Sequence, residues 1–109
     1  MRTTILTSDR GIRIEAEVAE TREERRRGLL RRQRLAPGRA LLIPNASSIH
    51  TLGMRFPIEV AFLDRDMTVL AVRRLPPGRL TIPRRRRRHV LECAVGTNLG
   101  PGDRLRAAE

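Results

Sequence analysis

Residues 58–64 carry the strongest strand signal in the chain. Ile58, Val60 and Phe62 fall on one side of a period-two pattern, with Glu59, Ala61 and Leu63 on the other. Asp64-Arg65-Asp66-Met67 reads as a hairpin turn. Residues 68–75 then form its partner strand, with Val69 and Ala71 on one face and Leu70 and Val72 on the other. The stretch leading in, SIHTLGMRFPIEVAFLD over 48–64, begins as a polar, glycine-containing loop and holds both phenylalanines, Phe56 and Phe62. It also holds the one unusual polar cluster, His50, Met54, Arg55 and Glu59. This stretch is expected to supply both core and pocket.

Shorter segments of the same kind surround it. Ile12, Ile14, Ala16 and Val18 alternate with Arg13, Glu15 and Glu17, which predicts a strand with one buried face. A weaker strand over 3–7 precedes it across the turn Ser8-Asp9-Arg10-Gly11. Further strands are expected over 40–43, 90–95 and 104–107, with a shorter one over 80–82. Thr21-Arg22-Glu23-Glu24 reads as a capping box that opens a short helix, and Gly28 ends that helix or lets it pack closely. Acids in its first turn and arginines after them suit the helix dipole. With six to eight strands, one capped helix and mostly hairpin-type turns, the chain is expected to be mainly β. The expected architecture is a small antiparallel barrel or sandwich with the helix covering one end. No repeat or linker divides residues 1–109, so a single domain is expected.

No apolar run approaches the roughly 20 residues of a membrane span, and the N-terminal residues lack a signal-peptide pattern. The expectation is a cytoplasmic protein without membrane partners. Cys93 is the lone cysteine, which excludes an intramolecular disulfide. The net charge is +11, and all 23 basic residues are arginine. Such a chain is drawn to polyanions, but arginine without lysine, together with abundant alanine, glycine and proline, is also what a GC-rich genome produces.

Four pieces, in this order, resemble one family. They are ETREERRRGLL (20–30), ALLIP (40–44), IHTLGMRFPIEVAFLD (49–64) and HVLECAVGTNLGPGDRL (89–105). The chain resembles the domain of unknown function family 192. That resemblance implies a compact, mostly β domain of unestablished biochemistry, with a sugar-like ligand suggested for some members. Where many members carry an aromatic Phe-Trp-Met-Lys-Asn-Thr run, this chain has Ile49-His50-Thr51-Leu52-Gly53-Met54, and a usual aspartate is Glu59. The missing tryptophan removes a stacking face of the kind sugars use.

The polar cluster can be read in two ways. His50 and Arg55 would be donors and Glu59 an acceptor on a pocket rim beside Met54, with the Arg55 fork suited to a carboxylate or phosphate. Alternatively, Glu59 is structural and pairs with an arginine such as Arg27 or Arg55. Cys93 shares a strand face with Leu91 and Val95 and reads as a core residue. His89, on the same face, is roughly 13 Å away along an extended chain, too far to act as its base. Glu59 and Glu92 both lie on strands, but nothing local pairs them. No metal-ligand spacing is present, and no cofactor is implied.

Arg84, Arg85, Arg86, Arg87 and Arg88 form the strongest charge run, either a phosphate-binding patch or a solvated loop. Without Trp or Tyr as stacking platforms, any nucleic-acid contact would be to the backbone and salt-dependent. Two functions are therefore expected to compete. One is a non-enzymatic binding domain for a small polar or anionic ligand at the loop entering the central strand. The other is a basic module whose arginine run meets nucleic acid or an acidic protein. An enzyme is the minor alternative, because no complete catalytic constellation is visible.

Overall fold

The computed structural model describes residues 1–107. The strands are β1 (Arg2–Ser8), β2 (Arg13–Val18), β3 (Arg39–Pro44), β4 (Ile58–Leu63), β5 (Val69–Leu75), β6 (His89–Cys93) and β7 (Leu105–Ala107). The one helix among the described residues, α1 (Arg22–Arg27), lies between β2 and β3. All seven strands join one sheet in the order β5-β4-β6-β3-β2-β1-β7. The sheet curls into a half-barrel whose two ends approach each other. Thr68 bridges Arg104, the Val69 N–H donates to the Asp103 carbonyl at 2.7 Å, and the Leu105 N–H donates to the Met67 carbonyl at 3.0 Å.

The mainly β class with a capped helix holds, with two refinements. The β2–β3 pair is parallel, with Ala16 opposite Ala40 and Val18 opposite Leu42, whereas every other pair is antiparallel. Two neighbouring strands can run parallel only through a crossover, and the segment holding α1 supplies it. The helix also buries none of its own residues. It is held by its cap, in which Thr21 Oγ1 accepts from the Glu24 N–H and Glu24 Oε1 accepts from the Thr21 N–H, both at 3.0 Å. What it delivers to the sheet is the chain just after it. Leu29 is buried there and Leu30 packs beside it.

Apolar residues fill both faces of the central strands. On the concave face Leu6, Ile14, Ala61, Leu63, Leu91 and Cys93 join one cluster. On the convex face Leu29, Leu41, Ile58, Val60, Phe62 and Val90 join a second. Burying each such large side chain contributes about 1.5–3 kcal/mol, so two clusters back to back supply most of the driving force. The two faces of β4 are as the sequence pattern predicts. Those of β5 are not, because the register shifts between Phe62 and Leu63. Phe62 pairs with Ala71 but Leu63 pairs with Val69, leaving Leu70 as an extra residue. Val69 and Val72 therefore face the concave cluster, while Ala71 faces the convex one. Residues 80–82 form no full strand; Leu80 makes a single bridge to His50.

Candidate functional site

The convex cluster is interrupted by one acid. Glu92 stands in β6, directly opposite Leu41 of β3 and Val60 of β4. Both neighbours are fully buried, and Glu92 itself is only 3% exposed. Its Oε1 is buried without a hydrogen-bond partner among the described residues. Burial pushes its pKa from the ordinary 4.5 up to about 7, against a smaller opposing pull from the charge of Arg32. Arg32 does not reach it as a partner; its guanidinium is paired with Glu17.

Above Glu92 lies a cavity of about 280 Å³. Leu29, Ile43 and Met54 supply apolar wall, Ser48 and His50 polar wall, and Arg25, Arg26 and Arg27 of α1 the basic mouth. Gly28 closes one side. Its φ of 49° and ψ of −126° are open to glycine and strained for any other residue. The opposite side is the loop over 45–54, which is clamped rather than loose. Thr51 is fully buried; its hydroxyl donates to the Pro76 carbonyl at 2.7 Å and accepts from the Arg79 N–H at 2.8 Å. Thr81 Oγ1 accepts from the Ile49 N–H at 2.8 Å. His50 is thereby fixed in backbone position while its side chain stays exposed.

The expected cluster is divided by this geometry. His50 and Met54 line the cavity, whereas Arg55 and Glu59 do not. Arg55 is exposed on the turn before β4. Glu59 Oε2 accepts from the Gly96 N–H at 2.9 Å, so its partner is a backbone amide after β6 rather than an arginine. Because Val60 opposes Glu92, Glu59 points to the other face, and the two carboxylates cannot act as a pair. Glu92 lies in the cavity lining and Thr51 clamps the loop beside it; in the sequence Glu92 enters only as a possible pair for Glu59, and Thr51 is not singled out. The signal for Glu92 was there, as the single acid in the apolar run over 90–95.

The arginine run is also divided. Arg87 lies over the Phe62 ring at 3.7 Å and donates to the Ile82 carbonyl at 3.2 Å, so it roofs the convex cluster. Arg85, Arg86 and Arg88 line a shallow basin with Asp64, Arg65 and Asp66. Cys93 is buried, and its pKa is raised chiefly by that burial. His89 Nδ1 accepts from the Asn45 N–H at 3.2 Å. No group of three or more metal-ligating side chains occurs among the described residues, and none of their helices is long and apolar enough to cross a membrane.

Fold and geometry together define a small half-barrel with a cavity between α1, the loop over 45–54 and β6. The chain belongs to the DUF192 family, described as "Uncharacterized ACR", whose profile matches residues 4–107. Two solved structures share the fold. A putative transcription regulator from Sinorhizobium meliloti 1021 aligns with a TM-score of 0.80 at 23% identity, over 96% of this chain and 92% of its own. A protein of unknown function from Novosphingobium aromaticivorans aligns with a TM-score of 0.69 at 21% identity, over 95% of this chain and 83% of its own. No curated protein sequence matches the chain.

Proposed function

We propose that the chain is a small non-enzymatic binding domain. Its ligand site is the cavity between α1, the loop over 45–54 and β6, and it takes a small polar or anionic molecule. The observation that carries this reading is Glu92 Oε1, a buried acceptor with no partner among the described residues, at the floor of a cavity. An unpaired buried polar group costs about 1–3 kcal/mol, and a ligand donor would recover that cost. His50 and Met54 line that cavity and would form its wall around a ligand, and the basic mouth favours an acid group on the ligand. A sugar held by stacking is disfavoured, because neither Phe56 nor Phe62 lines the cavity. The test is a calorimetric titration of small carboxylates, phosphates, amino acids and sugars into the wild type and into Ala46→Trp, which fills the cavity from its wall. Binding by the wild type that the variant loses supports the reading; binding that the variant retains refutes it.

A second reading rests on a separate surface. Leu80 is 70% exposed and Ile82 is 69% exposed, immediately before the exposed arginines Arg84, Arg85 and Arg86. Apolar residues beside cations favour an acidic protein segment over a nucleic-acid backbone, which would leave the apolar pair unused. Changing Leu80 and Ile82 to serine would abolish capture of an acidic partner and leave polyanion binding unchanged.

A further inference from the structure

The cavity has two chemically opposite ends. At the floor stands one carboxyl, nearly fully buried, flanked by Leu41 and Val60 and without a hydrogen-bond partner among the described residues. At the mouth stand the guanidinium-bearing residues Arg25, Arg26 and Arg27. Between them the wall is mainly apolar, from Leu29, Ile43 and Met54.

From this arrangement we infer that the cavity is built for a small zwitterion of the amino-acid class, its ammonium seated on the Glu92 carboxylate and its acid group held by the arginines of α1. The inference rests on the cavity being the ligand site, as proposed above, and adds the class of ligand.

Charge argues for that class over its alternatives. A neutral hydroxyl donates one hydrogen bond to Glu92 but leaves the buried charge uncompensated, whereas an ammonium provides both hydrogen bond and charge. A simple anion satisfies the mouth and leaves the floor unpaired. A simple cation satisfies the floor but faces three arginines on entry. Only a molecule carrying both charges answers both ends, and about 280 Å³ admits one of amino-acid size. None of the nearby arginines pairs with Glu92, and a guanidinium that donates once keeps further N–H groups for a ligand. Arg27 donates to Glu23 at 2.7 Å, Arg25 to the Pro44 carbonyl at 3.4 Å, and Arg32 to Glu17. None of these three is positioned as the partner Glu92 lacks.

The test is calorimetric titration with six probes. Glycine, L-alanine and 4-aminobutanoate carry both charges, propanoate lacks the amine, propylamine lacks the acid, and xylose is neutral. At least one zwitterion should bind at least about tenfold tighter than propanoate and propylamine, as loss of one charge-assisted hydrogen bond implies. Glu92→Gln should erase that advantage while the unfolding curve stays cooperative. If Glu92→Gln fails to fold, Glu92→Met, of similar volume and without the carboxyl, serves in its place. Propanoate or xylose binding as tightly as the zwitterions overturns the inference. In that case Ala46→Trp shows whether the cavity reading survives, since loss of binding keeps it and retention removes it. Failure of all six probes to bind the wild type overturns the inference as well.

Discussion

Gly28 sits over the Glu92 carboxylate: a Cβ at position 28 would lie 3.7 Å from Glu92 Oε1 and 3.9 Å from Leu41 Cδ2. Those are ordinary contact distances, so space alone would admit alanine. The backbone is what forbids it, with φ at 49° and ψ at −126°. Gly28→Ala is expected to cost more than about 1 kcal/mol of stability, because alanine must adopt a conformation natural only to glycine. Urea denaturation of the variant checks this. The loss should also reach the cavity, since the turn that closes it must shift.

Glu92 makes stability fall as pH rises. Its ordinary pKa of 4.5 becomes about 7 in the folded protein. A carboxyl raised on folding contributes its full stability below the unfolded value, and that contribution is lost as pH rises through the folded one. The groups facing this region are Arg25, Arg26, Arg27 and His50 around the cavity, with Arg32 beyond it. Of these, Arg32 alone offsets the shift. Between about pH 4.5 and pH 8 the wild type should lose about 3 kcal/mol from this group alone. Glu92→Gln should be nearly flat over the same range and more stable than the wild type at pH 8. Chemical denaturation at three pH values measures both slopes.

Asp103 works in the opposite direction. Its carboxylate accepts from Arg10 Nε and Nη2, each at 2.7 Å, and from the Gly100 N–H at 2.8 Å. These bonds, that from the Arg10 side chain first, hold its pKa at about 2, below the ordinary 3.8. A depressed carboxylate contributes stability above its unfolded pKa, and that stability is lost as pH falls through the folded one. Arg10→Ala is expected to destabilise the fold near neutral pH and to shift acid unfolding to higher pH. Because this pair ties the β1–β2 turn to the chain entering β7, the closure of the half-barrel should loosen with it. Amide exchange at Leu105, whose N–H donates to the Met67 carbonyl, reports that loosening.

The arginine run should divide under mutation as it divides in space. Arg87→Ala uncovers the Phe62 ring, which its guanidinium caps at 3.7 Å, and is expected to cost about 1 kcal/mol or somewhat more. Arg85→Ser with Arg86→Ser should leave the unfolding midpoint unchanged within about 0.5 kcal/mol, because both are exposed. The same double change should weaken heparin retention, while Arg87→Ala alone should weaken it less.

Much of this fold is legible in local sequence. The two faces of β4 follow from strict alternation at Ile58, Val60 and Phe62, and the capping box at Thr21 and Glu24 is a four-residue signal. What is not legible depends on pairing across the chain. Period two alone puts Val69 with Ala71, but the extra residue Leu70 exists only relative to β4. The parallel β2–β3 pair is likewise a property of the crossover and of neither strand. In the site, His50 and Met54 stand out because their loop is unusual, and both line the cavity. Arg55 and Glu59 share that segment, yet side-chain alternation and the turn before β4 send them elsewhere. Glu92 is marked in the sequence as the single acid of the apolar run over 90–95, but its place at the cavity follows only from Leu41 and Val60 beside it and Gly28 above.

The most direct measurement is the affinity of one small zwitterion, 4-aminobutanoate, for the wild type and for Ala46→Trp, by calorimetry at a fixed pH near 7. The account predicts saturable binding at one site per chain in the wild type and none in the variant, with both proteins folded. Equal affinity in the two proteins, or no binding to the wild type by this probe or by any other small polar or anionic molecule, would contradict the claim that the cavity over Glu92 is where this domain holds its ligand.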